Sequence, residues 1–137
     1  MGVAALITWL ITAVGGFVLL GTWLTKRGSR GRPGRSSRLS PGVVFSHLLL
    51  AAVGLVLWIV YLAADSDGLT WVAFVLVALA AVRGFTMFFR WLPQRRAAAT
   101  RATEPTAEAA FPVPVVVLHG LFAAATLVLV LIAAVTA

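Results

Sequence analysis

The chain has no cysteine, which excludes disulfides, thiolate metal sites and cysteine nucleophiles. Acids are almost as scarce, with four Asp plus Glu against eleven Lys plus Arg in 137 residues. All four (Asp65, Asp67, Glu104 and Glu108) fall outside the long apolar runs. The embedded carboxylate on which many proton-coupled transporters depend is therefore missing. No Ser/His/Asp arrangement, phosphate-cradling glycine loop or HExxH motif is present, so hydrolytic and kinase chemistry have no carrier. Histidine occurs only at His47 and His119, and the one internal methionine is Met87.

What the chain does have is apolar length. Hydrophobic residues make up 61% and the mean hydropathy is +1.03, far above a soluble average. Four runs, at about 3–24, 43–64, 69–92 and 113–135, are each long enough as helices to cross a hydrocarbon core roughly 30 Å thick. The first has no basic leader and is followed by Lys26 and Arg27, the reverse of a cleavable signal peptide. The expected fold is an all-α integral membrane protein, a single four-helix domain over 1–137 with no soluble domain attached.

Charge orients it. Thr25–Pro41 carries six cations, no acid and repeated Gly, Ser and Pro, the composition of a mobile loop. Residues 93–112 form a second loop, again net positive. The positive-inside rule puts both loops (25–42 and 93–112) in the cytoplasm and both termini outside. Membrane topology explains the net charge of +7 better than a nucleic-acid partner does, and contact with anionic headgroups is a secondary role for the first loop. Ten of the eleven cations are arginine, a bias that suggests a GC-rich bacterial genome and hence the bacterial cytoplasmic membrane. The acidic turn Asp65-Ser66-Asp67-Gly68 suits the outer face and joins antiparallel neighbours. Trp58 and Tyr61, near the outer end of the second helix, are expected at the membrane interface.

The strongest internal signal is a repeat. Val43–Leu57, VVFSHLLLAAVGLVL, returns as Val115–Leu129, VVVLHGLFAAATLVL, with nine of fifteen positions identical, His47 and His119 among them. Trp23-Leu24 and Trp91-Leu92 also correspond, each before a basic loop. The chain is therefore expected to consist of two tandem helical hairpins in the same orientation. In that topology the histidines share one depth, near the cytoplasmic side. Ala51 and Gly54 on the second helix, and Ala123 on the fourth, share their histidine's face, and Gly120 adjoins His119 in sequence. Such small residues leave room for a neighbouring helix or a flat macrocycle. Arg83 and Arg90 lie on one face of the third helix, Arg83 about 10 Å deeper along the axis. Snorkelling towards the cytoplasm and holding an anion inside the bundle are both open to Arg83.

Paired histidines, helix count and a basic inner side together resemble the small b-type cytochromes built on four-helix membrane bundles, such as cytochrome b561-like proteins and haem-bearing anchor subunits of respiratory dehydrogenases. That resemblance implies one haem b, with His47 and His119 as axial ligands to iron and Arg83 and Arg90 near the propionates. Cytochrome b561-like proteins usually carry two haems at two depths; here there are histidines for one, so exchange would be with a quinone or a partner subunit at the inner side. Two alternatives stay open. One is a non-catalytic scaffold or assembly subunit whose histidines bond neighbouring helices. The other is a small transporter or channel subunit, which would need a homo-oligomer to form a pathway. A closed zinc or copper site is not expected from two histidines alone.

Overall fold

The computed structural model describes residues 1–28, 34–64 and 67–137. The middle of the first loop and part of the acidic turn, including Asp65, lie outside the described residues. Four helices, α1 (Gly2–Arg27), α2 (Pro41–Ala64), α3 (Asp67–Ala99) and α4 (Val113–Thr136), are joined by short segments, with one 3₁₀ turn at Glu108–Ala110. All four are long and apolar enough to cross a membrane. The described residues contain no strand.

Local chemistry sets the ends. α1 stops at Gly28, whose φ of 80° is a left-handed conformation that glycine adopts without Cβ strain. Pro41 opens α2 and Pro114 lies in the first turn of α4, positions whose N–H would have no helical partner anyway. Within the helices, threonines turn their hydroxyls onto their own backbone, as Thr12 does onto the Thr8 carbonyl and Thr86 onto that of Val82. This gives those hydroxyls an acceptor within their own helix. α3 departs from expectation by continuing past Pro93 to Ala99 instead of ending at Leu92. Proline removes one backbone hydrogen bond, but Gln94-Arg95-Arg96-Ala97-Ala98-Ala99 is a run of strong helix formers that carries the helix on.

α2 packs along α3 and α1 along α4; α3 also meets α4, and α1 touches α2 least. The backbones of α2 and α4, and those of α1 and α3, make no approach to each other among the described residues, so each pair stands diagonally across the bundle. The core falls into two clusters. Towards the termini, Ala5, Trp9, Trp58, Ala73, Val77, Val130 and Ala133 pack together. At the loop end, Trp23, Leu39 and Ala107 form a second cluster with Val44, Met87 and Phe111 against it. Trp58 is wholly buried, its indole N–H donating to the Gly2 carbonyl at 3.1 Å. The ring expected near the outer end of the second helix thus finds its acceptor inside the bundle, at the level of the first residue of α1.

Gly54 makes that core possible. A Cβ there would stand 3.1 Å from the Trp9 ring and 3.4 Å from Leu76, so the indole fills the space that a side chain would need. We predict that Gly54→Leu destabilises the bundle by about 1–3 kcal/mol through overpacking. Thermal unfolding in detergent, followed by tryptophan fluorescence, checks this, and an unchanged midpoint would contradict it.

Candidate functional site

Between the two clusters lies the histidine layer. His47 projects from α2 and His119 from α4, the diagonal pair, and their rings meet across the bundle with centroids 6.2 Å apart and planes inclined at 62°. Each is tied to the neighbour its helix packs along. His47 Nδ1 bonds the Ala80 carbonyl of α3 at 2.8 Å, and His119 Nδ1 bonds the Thr12 carbonyl of α1 at 2.9 Å. A carbonyl can only accept, so the proton sits on Nδ1 in both rings. Each Nε2 is left with a free lone pair, and neither makes a hydrogen bond among the described residues.

Glycines admit the rings. A Cβ on Gly16 would lie 3.2 Å from His119 Cε1, one on Gly15 3.3 Å from His119 Cβ, and one on Gly84 3.4 Å from His47 Cε1. Gly16 follows the acceptor Thr12 by four residues and Gly84 follows the acceptor Ala80 by four. In both places one helical turn supplies the carbonyl that orients an imidazole and the gap that receives it.

The remaining expected residues are placed unequally. Arg83 is half-buried, and its Nε donates to Ser46 Oγ at 2.7 Å, directly beside His47. Ala51 and Ala123 are half-buried one turn beyond their histidines. Gly54 is buried, but Trp9 fills the space in front of it. Gly120 lies on the outer surface with nothing within 4 Å of where its Cβ would be, because residues adjacent in a helix are turned about 100° apart. Arg90 is exposed and reaches the Arg38 carbonyl at 3.4 Å rather than the histidine layer. Beside His119, an apolar groove of about 200 Å³ opens between α1 and α4, lined by Ile11, Val14, Gly15, Val115, Leu118 and Phe122.

A second polar centre lies at the loop end and was not anticipated. Glu108 is fully buried. Its Oε2 accepts from Ser37 Oγ at 2.9 Å and its Oε1 from the Arg38 N–H at 2.7 Å. Ser37 Oγ in turn accepts from the Trp23 indole N–H at 2.9 Å, and Ala107 N–H donates to the Ser36 carbonyl at 2.8 Å. The described part of the first loop, 34–40, is thus clasped to the second rather than free. The available signal was the setting of Glu108, with Ala107, Ala109, Ala110 and Phe111 around it, too apolar for a solvated acid.

Among the described residues, no group of three or more His, Asp or Glu could hold a metal ion. No family model matches the chain, nor does any curated protein or solved structure.

Proposed function

We propose that the chain is a multi-pass protein of the bacterial cytoplasmic membrane that binds one haem b between His47 and His119. Its outer surface supports the membrane part. Large apolar side chains such as Val14, Phe17, Leu49, Val82, Phe85, Phe89 and Leu121 stand exposed along all four helices, a coat that water does not favour and lipid does. The positive-inside rule then sets both loops at the cytoplasmic face and both termini outside. A duplication of one hairpin accounts for the matched acceptor–glycine spacing around the two histidines.

The observation that carries the haem reading is the facing pair of imidazoles with anchored Nδ1 atoms and open Nε2 atoms. A backbone acceptor on the far nitrogen is the usual device for fixing a ligand's tautomer and orientation. The two ring centres lie 6.2 Å apart, so both imidazoles would be available to hold one bound group between them. A bare zinc or copper ion wants further protein ligands, whereas a porphyrin supplies four and asks the protein for two. Arg83, bonded to Ser46 next to His47, would be the cation for a propionate; Arg90 lies at the loop end. When bound, the haem supplies one-electron transfer, with a quinone or membrane subunit as the exchanging partner.

Haem titration of the purified protein tests this: the reading predicts saturation at one haem per chain. No Soret band after supplementation overturns it. Gly16→Val adds a sharper check, because its side chain would enter the space held by the His119 ring. A fall in haem affinity of about 10–100-fold is expected, the range for disturbing a ligand's support, with helix content retained. Unchanged affinity would contradict the placement.

A second reading has one specific observation in its favour, the same two Nδ1–H bonds. As staples between α2 and α3 and between α4 and α1, each is worth about 0.6–2 kcal/mol, and a non-catalytic assembly subunit would need nothing more. It predicts a colourless protein in which His47→Ala lowers stability modestly and leaves assembly intact. A transporter subunit has no comparable support.

A further inference from the structure

Four arginines near the Glu108 clasp each make a local contact, and among the described residues none of their side chains bonds a carboxylate. Arg27 stacks its guanidinium 4.8 Å above the Trp23 ring. Arg38 is held through its backbone N–H on Glu108. Arg90 donates to the Arg38 carbonyl and Arg95 to the Ala109 carbonyl, both at 3.4 Å. All four side chains are exposed. Glu108, the acid at their centre, is wholly buried and already accepts from Ser37 and Arg38 N–H. Four arginines thereby lie at one end of the bundle, three with their guanidiniums held on an indole or a carbonyl and Arg38 anchored through its backbone.

Such an arrangement lowers the ordering cost of binding an anion, because an indole and two carbonyls already restrain the side chains of Arg27, Arg90 and Arg95, and the backbone of Arg38 is fixed. Arginine's planar fork matches phosphate oxygens bidentately. The site lies at the end of four helices suited to a bilayer, beside the exposed rings of Phe88 and Phe89. The anion most available there is a lipid headgroup.

We infer that Arg27, Arg38, Arg90 and Arg95 form a binding platform for the phosphate of an anionic phospholipid at the loop end of the bundle. The inference rests on the membrane reading and is independent of haem. A cation near an anionic lipid surface contributes about a five-fold factor in partitioning, so losing two predicts about a 25-fold loss.

The test uses the full chain in detergent micelles doped with phosphatidylglycerol or with phosphatidylcholine, and reads retained lipid by native mass spectrometry. Wild type should retain phosphatidylglycerol well above phosphatidylcholine. An Arg38→Ala/Arg90→Ala double variant should lose that preference, and Arg101→Ala, beyond the end of α3, should keep it within about two-fold. Equal retention of the two lipids, or a double variant indistinguishable from wild type, overturns the proposal. Competition by millimolar inorganic phosphate as effective as phosphatidylglycerol would assign the site to a free anion, and tighter competition by an oligonucleotide would assign it to nucleic acid; either also overturns it. Resistance of the protein to alkaline carbonate extraction from membranes reads the membrane assignment separately. The two can thus fail independently.

Discussion

Replacing either His47 or His119 with alanine is expected to abolish the six-coordinate haem spectrum. Each variant removes one of the two imidazoles whose rings meet across the bundle with Nε2 unbonded, and the chain has no other histidine and no cysteine to replace it. Disturbing a ligand's support alone typically costs 10–100-fold in affinity, so losing the ligand should cost at least about 100-fold. The two variants should behave alike, because the sites share a backbone acceptor, a glycine gap and a level in the bundle. Helix content should survive, since each variant gives up only one interhelical bond of about 0.6–2 kcal/mol. Spectra beside circular dichroism separate these outcomes. If one variant kept a six-coordinate spectrum, the other histidine would not be pairing with it.

The second large effect is expected at Glu108. Glu108→Ala would remove the acceptor of two groups at once, leaving the Ser37 hydroxyl and the Arg38 N–H without their carboxylate and a cavity among Ala107, Ala109 and Trp23. An unsatisfied buried partner costs about 1–3 kcal/mol, so the variant should lose roughly 2–5 kcal/mol. Glu108→Gln should lose much less. Its amide oxygen still accepts from Arg38, its shape fills the same space, and the Ser37 hydroxyl can turn to the Leu39 carbonyl 3.2 Å away. Tryptophan emission should report the difference locally, because the Trp23 indole bonds Ser37. Thermal melts of both variants check the order; equal destabilisation would show that shape rather than hydrogen bonding holds the clasp.

These expectations separate what was legible in the sequence from what was not. Helix number followed from apolar run length, which in a chain with acids only between the runs leaves little choice. That the two histidines occupy matching places in two similar segments was visible directly, but their meeting was not. It depends on α2 and α4 standing diagonally, and which helices neighbour one another is set by side-chain packing rather than by the apolar pattern, which is nearly uniform around each helix. Gly120 shows the hazard of sequence adjacency, since the next residue in a helix points elsewhere. Gly54 shares the His47 face but lies two turns away, where Trp9 takes the room. The glycines that do serve the histidines, Gly15, Gly16 and Gly84, sit on α1 and α3, and no pattern within α2 or α4 could point to them.

The loops were misjudged for a different reason. Composition treats Thr25–Pro41 as solvated because it averages over many polar residues. One buried carboxylate, accepting from Ser37 Oγ and the Arg38 N–H while the Trp23 indole donates to that serine, is enough to tie down residues 36–39, and the pairing joins positions about seventy residues apart. Proline at position 93 likewise marked a boundary by local rule, while the residues after it continued the helix.

The measurement that tests the central claim most directly is the visible spectrum of the full-length protein, purified from membranes of cells supplied with a haem precursor, oxidised and then reduced with dithionite. The account predicts a low-spin, six-coordinate spectrum with a sharp reduced α-band at one haem per chain. A colourless protein that stays colourless after haem addition, or a five-coordinate high-spin spectrum, would contradict it and leave the two histidines as staples between helices.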